Sequence, residues 1–167
     1  WGARACPEYA SVVADNPLLA IPGMEEGLAR VETALRASVV SDDPFLTEVA
    51  SHLITAGGKR VRPAFALAAA ATGLDDHADA VSDDVVMGAV AVELVHLGSL
   101  YHDDVMDEAT TRRTVESVNA KWGNLQAILA GDFLLARASE IAASLGTEVA
   151  GLLAATIGRL CEGQVRE

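Results

Sequence analysis

The sequence predicts an all-α protein, a bundle of helices joined by short connections. Three observations carry that prediction. Hydrophobic residues make up 51% of the chain and aromatics only 4%, with alanine, valine and leucine dominant, a composition that favours helices packed on helices. Apolar residues recur at helical spacing, and no alternating strand pattern emerges. The punctuation is also helical, with prolines where helices would open and glycines where they would stop.

Residues 1–23 read as an irregular N-terminal segment containing Pro7, Pro17, Pro22 and Gly23. From Met24 to about Val40, Leu28, Val31, Leu35 and Val39 fall on one helical stripe. Pro44 opens a second helix that runs to about Ala56 and is closed by Gly57 and Gly58. Pro63 opens a third, which reaches Thr72 with Gly73 as its stop. Residues 74–81 are polar and turn-like. Ser82 caps the next helix, with Asp83 and Asp84 in the first turn where the helix dipole favours acids. That helix, about 82–107, is apolar on nearly every face and therefore belongs in a core. Helices are expected at 114–121, 124–145 and 147–167. Residues 24–167 thus form one helical domain. The chain stops at "LCEGQVRE" inside a helix, with no cap, glycine or proline, so further protein is expected to follow.

The charge balance is 12 basic against 24 acidic residues, which disfavours nucleic acid and anionic membrane surfaces as partners. Cys6 and Cys161 are far apart and in no metal-ligand spacing, so neither a disulfide framework nor a zinc site is expected, and a cytoplasmic location is the default. The apolar stretches are interrupted by charges, and no transmembrane segment is expected.

The chemistry concentrates in "YHDDVMDEATTRR", residues 101–113, at the end of the buried helix. Asp103 and Asp107 are four apart and share a helix face, while Asp104 points to an adjacent one. Like charges at that spacing cost an isolated helix roughly a few tenths of a kcal/mol, and a cation between them would reverse the sign. Mg²⁺ suits the pair, since it takes one or two carboxylates plus substrate phosphates. The bland reading is a solvated helix end. A DDxxD arises by chance with a probability of roughly 0.06 in a chain of this composition. "DDHAD", Asp75–Asp79, is a second literal match and reads as a surface loop. The stretch at 103 differs because Arg112 and Arg113 follow it, and arginine grips phosphate oxygens bidentately.

A second basic cluster, "GGKRVRP", places Lys59, Arg60 and Arg62 between two helices, where glycines let the backbone approach an anion. Taken alone it reads more readily as an exposed basic loop. His96 lies two turns before Asp103 on nearly the same face. There it is either a satisfied core histidine or a hydrogen-bond donor to phosphate.

Together "GGKRVRP", "ELVHLGSLYHDDVMDEATTRR" and "GDFLLARA" resemble the head-to-tail trans-isoprenyl diphosphate synthases, or polyprenyl synthetases, over residues 50–167. The terminal "EGQ" is similar to a family segment that lines the same cavity. The resemblance implies an isoprenoid-synthase-type helical bundle around a central cavity, as a homodimer. It implies condensation of isopentenyl diphosphate with an allylic diphosphate of geranyl, farnesyl or geranylgeranyl type, with release of pyrophosphate. Asp103 and Asp107, supported by Asp104, would bind the Mg²⁺ that holds the allylic diphosphate, and Arg112 would hold the same diphosphate. Lys59, Arg62, His96 and Arg113 would hold isopentenyl diphosphate. Gly98 and Ser99, five and four residues before Asp103, stand where the family often sets a floor to the cavity. Both are small, which implies a medium- or long-chain product.

The family's second Asp-rich motif has no counterpart after Glu162, so the resemblance covers an N-terminal portion, and residues 1–167 alone are expected to be nearly inactive. Two other readings compete. A class I terpene cyclase needs no isopentenyl diphosphate site, and "GGKRVRP" argues against it. A non-catalytic partner subunit of a heteromeric synthase would tend to lose aspartates or arginines, and here the set is intact.

Overall fold

The computed structural model describes residues 17–72 and 81–167. The expectations for residues 1–16, for Gly73 as a stop and for the "DDHAD" loop lie outside the described residues, as does Cys6. A 3-10 turn, Pro17–Ala20, leads into helix α1, Met24–Ser38, which buries Met24, Leu28, Val31 and Leu35 on one stripe. Helix α2, Pro44–Thr55, starts on Asp43, whose carboxylate accepts from the backbone N–H groups of Phe45 (2.8 Å) and Leu46 (3.2 Å).

Helix α3 spans Val61–Thr72 and so begins two residues before Pro63. Proline is tolerated there because the first-turn N–H groups have no intrahelical partner. The basic cluster therefore straddles a loop and a helix start. Helix α4, Asp83–Met106, is capped by the Ser82 hydroxyl, which accepts from the N–H of Val85 (3.4 Å). By length and composition α4 could cross a membrane, but it forms the centre of the bundle, packed on α1, on α3 and on a later helix, α6. Tyr101 fastens it to α2, donating its buried hydroxyl to the carbonyls of Val49 (2.9 Å) and Ala50 (3.1 Å).

The expected helix at 114–121 is corrected. Thr111–Arg112 (β1) and Val115–Glu116 (β2) pair as an antiparallel hairpin, and only Val118–Trp122 (α5) is helical. The two turn residues, Arg113 (φ 51) and Thr114 (φ 68), both sit in the left-handed region, as a tight hairpin turn requires. Neither is the glycine or asparagine that would have signalled it.

Helix α6, Asn124–Ser144, crosses α4 closely. A Cβ at Gly98 would lie 3.0 Å from the Gly131 carbonyl oxygen, so the two glycines permit the approach. Helix α7, Thr147–Arg166, rests on α6 and buries no residue fully. Leu153 and Ile157 touch the core, whereas Leu152, Leu160 and Val165 are exposed.

Candidate active site

The last turn of α4 sends its three aspartates in different directions. Asp103 is half-buried and Asp107 exposed, one turn apart, and among the described residues no cation pairs with either. Burial, and then the Asp107 charge, hold the Asp103 carboxyl above the usual carboxylate range, although Arg112 acts the other way. Asp104 turns inward and is fully buried. Its Oδ1 accepts from Arg112 Nε (2.7 Å) and Nη2 (2.5 Å), and its Oδ2 has no protein partner. Asn119 closes the loop after α4 by donating to the carbonyls of Asp104 (3.0 Å) and Ala109 (2.9 Å).

The hairpin presents Arg112 and Arg113 to different partners. Arg112 meets Asp104, while Arg113 Nη1 donates to the carbonyls of Leu53 (3.0 Å) and Gly57, at the C-terminal end of α2 where a cation is favoured. Arg113 Nη2 lies 3.8 Å from Glu93 Oε1.

The loop between α2 and α3 threads through left-handed backbone at Gly57 (φ 85) and Arg60 (φ 47). Gly58 (φ 154) lies under both guanidinium groups, since a Cβ there would be 2.7 Å from Arg113 Nη1 and 2.9 Å from Arg60 Nη1 and would displace them. Arg60 is an anchor. Buried, it donates from Nε to Glu32 (2.8 Å), from Nη1 to Glu93 (3.2 Å) and from Nη2 to the Ile54 carbonyl (3.2 Å). Lys59 and Arg62 on either side remain exposed.

His96 is half-buried near these arginines. Burial first, then the charges of Arg62, Arg113, Arg112 and Arg60, lower its pKa to about 4, so the ring is neutral at physiological pH and carries one N–H donor. The four arginines come from two distant stretches of sequence, Arg60 and Arg62 before α4 and Arg112 and Arg113 after it. Of the predicted anion ligands, Arg62, Arg112 and Arg113 thus lie within electrostatic reach of His96.

An apolar groove runs between α4 and α7 as two cavities of about 320 and 490 Å³ that share Val95, Ser99 and Leu160. One holds Arg62 and His96; the other holds His102, Asp103, Asp132 and Gln164. Ser99 stands at their junction. Gly98 lines neither and faces Gly131 and Leu135 across the helix crossing. Cys161 is a free thiol on the groove. Sequence reasoning missed three residues. Glu93, an acid in an otherwise apolar run, was the available signal for the first. Asp132 and His102, 3.4 Å apart (Oδ1 to Nε2), lie inside "GDFLLARA" and "YHDDVMDEATTRR", but their pairing needs α6 folded onto α4.

The fold and site together define an all-helical protein with a carboxylate pair and an arginine cluster at an apolar groove. The Polyprenyl synthetase family model matches residues 43–167, and the chain belongs to that family. It is 48% identical over 141 residues to the nonaprenyl diphosphate synthase of Mycobacterium tuberculosis, covering 84% of this chain and 41% of that protein. It is 43% identical over 145 residues to heptaprenyl diphosphate synthase component 2 of Geobacillus stearothermophilus, covering 86% and 44%. Among solved structures, the decaprenyl diphosphate synthase of Rhodobacter capsulatus superposes with a TM-score of 0.77 at 36% identity, covering 86% of this chain and 43% of that one. The geranylgeranyl pyrophosphate synthase of Corynebacterium glutamicum, complexed with calcium and isoprenyl diphosphate, does so with 0.73 at 43% identity, covering 91% and 45%. The chain thus spans less than half the length of the relatives it matches.

Proposed function

We propose that the intact protein is a prenyltransferase that joins isopentenyl diphosphate head to tail with an allylic diphosphate, releases pyrophosphate and builds a medium- or long-chain trans-polyprenyl diphosphate. The observation that carries this reading is one apolar groove that holds Arg62 and His96 in one cavity and Asp103 in the next, with Asp107 a turn from Asp103 and the charges of Arg112 and Arg113 acting on His96. Family membership supports it.

Lys59, Arg62, His96 and Arg113 hold the diphosphate of isopentenyl diphosphate, and Arg112 holds that of the allylic substrate. Asp103 and Asp107 fit Mg²⁺. They are two oxygen donors without a protein counter-ion; burial and then the like charge one turn away raise the Asp103 pKa, and a cation would offset both. Among the described residues no three metal-binding side chains converge, so diphosphate oxygens and water would complete the shell. When bound, Mg²⁺ neutralises charge on the departing pyrophosphate.

The arginines stabilise the same charge as the allylic carbon–oxygen bond breaks. The groove keeps water from the allylic cation. The double bond of isopentenyl diphosphate then forms the new carbon–carbon bond, and a proton leaves to pyrophosphate. The growing tail runs past Ser99, whose small side chain leaves the groove open.

In the intact protein, Asp103→Ala and Arg113→Ala are each expected to cut incorporation of labelled isopentenyl diphosphate by about 100-fold or more with the fold retained. Wild-type rates in both would defeat the assignment. We assign the protein to the cytoplasm, as a homodimer. Exposed Leu125 and Leu129, one turn apart on α6, suit a partner's apolar face. Light scattering is expected to give twice the chain mass, and a stable monomer would exclude the dimer. The name of the Geobacillus relative makes a second, different chain the alternative partner.

A further inference from the structure

Glu93 has no part in the reaction above, yet it is 2% exposed in the middle of α4, one turn before His96. A buried carboxylate is costly unless it is paired, so its partners state its purpose. Burial pushes the Glu93 carboxyl up, and Arg60, Arg113 and Arg62 pull it back.

Two guanidinium groups meet at this carboxylate. Arg60 Nη1 and Arg113 Nη2 approach the same oxygen, Oε1, at 3.2 and 3.8 Å. Both also donate to the Gly57 carbonyl, and both press against Gly58. The two need different things from it. Arg60 has a second acid, since its Nε is 2.8 Å from Glu32. Arg113 has none: among the described residues Glu93 is its sole acidic partner within ion-pair distance. Burial and the nearby Arg60 both work against the Arg113 charge, and Glu93 opposes them. Arg112, by contrast, is held separately by Asp104.

We propose that Glu93 is a positioning residue for Arg113, holding its guanidinium beside His96 and Arg62 so that the isopentenyl diphosphate site is formed before the substrate arrives. The inference rests on the assignment of Arg113 to that substrate. Its consequence is selectivity. Because Arg60 keeps Glu32 and Arg113 has no second acid, loss of Glu93 falls on the isopentenyl diphosphate side and leaves the allylic diphosphate, held at Arg112 and the aspartates, unaffected.

The test uses the intact protein and measures the Kd of isopentenyl diphosphate by calorimetry, with KM for both substrates. Glu93→Gln keeps the shape and removes the charge. It is expected to weaken isopentenyl diphosphate binding at least about tenfold, as removal of the buried ion-pair partner of Arg113 leaves that charge uncompensated, with the allylic KM within about twofold of wild type. In an Arg113→Gln background the same change is expected to add nothing further. Equal losses for both substrates, or an undiminished loss in that background, would mean a general structural role and overturn the proposal. If Glu93→Gln does not fold, Glu93→Asp retains the charge but retracts it by one methylene. It should then show a smaller loss in the same direction, and unchanged binding there overturns the proposal equally. A wild-type protein that neither binds nor condenses isopentenyl diphosphate would sink the prenyltransferase reading itself. Wild-type turnover with a Glu93→Gln KM unchanged would sink the role of Glu93 alone.

Discussion

Successive residues on a helix are rotated by about 100°, which is why Asp103 and Asp104 leave α4 toward different environments. One meets the groove and stays available to a cation; the other is buried and spends its charge on Arg112. The reading of Asp104 as a supporting metal ligand therefore becomes, in our proposal, a role in orienting Arg112. His96 illustrates how neighbours set a single group. With its pKa near 4 in the folded chain and about 6.5 when unfolded, the unfolded state binds the extra proton between those values. Stability from the neutral ring is thus fully present above pH 6.5 and is lost as the pH falls toward 4. Melting temperatures across that window should fall less steeply in a His96→Asn variant than in wild type. Parallel curves would show that the ring is not held neutral.

At the scale of elements, the site depends on how closely α4 and α6 cross and on a turn that violates its own sequence preference. Gly98 was expected on the cavity floor, but its α-carbon faces the Gly131 carbonyl. Gly98→Ala is expected to push the helices apart and cost about 1–3 kcal/mol in a denaturant melt, as overpacking generally does. Unchanged stability would show that the crossing has slack. The expected helix at 114–121 takes in Thr114 and the second strand of the hairpin because Arg113 and Thr114 carry no mark of a left-handed turn. What holds it is tertiary: Arg113 donates to carbonyls at the end of α2, sixty positions away for Leu53. Where caps were local, as at Asp43 and Ser82, the helix starts were readable directly.

At the scale of the molecule, the groove between α4 and α7 supplies, in our proposal, both the reaction site and the space for the product. Ser99 is the groove-facing member of the small pair, so Ser99→Phe is expected to shorten the dominant product, read by reverse-phase chromatography of the dephosphorylated alcohols. Farnesyl diphosphate as the main wild-type product would defeat the medium- or long-chain reading. Helical periodicity, proline and glycine punctuation and the four-residue spacing of Asp103 and Asp107 are properties of contiguous stretches. They suffice for an all-α chain with an acidic pair at the end of a buried helix, because such features need only the backbone's own geometry. Which arginine serves as an anchor, which aspartate is buried, and which side of α4 a small residue occupies all depend on partners far away in the chain. Arg60 finds Glu32 and Glu93, twenty-eight and thirty-three positions off, and Gly98 finds Gly131. A charge turns inward where a distant partner offsets its desolvation, and no local spacing records that partner.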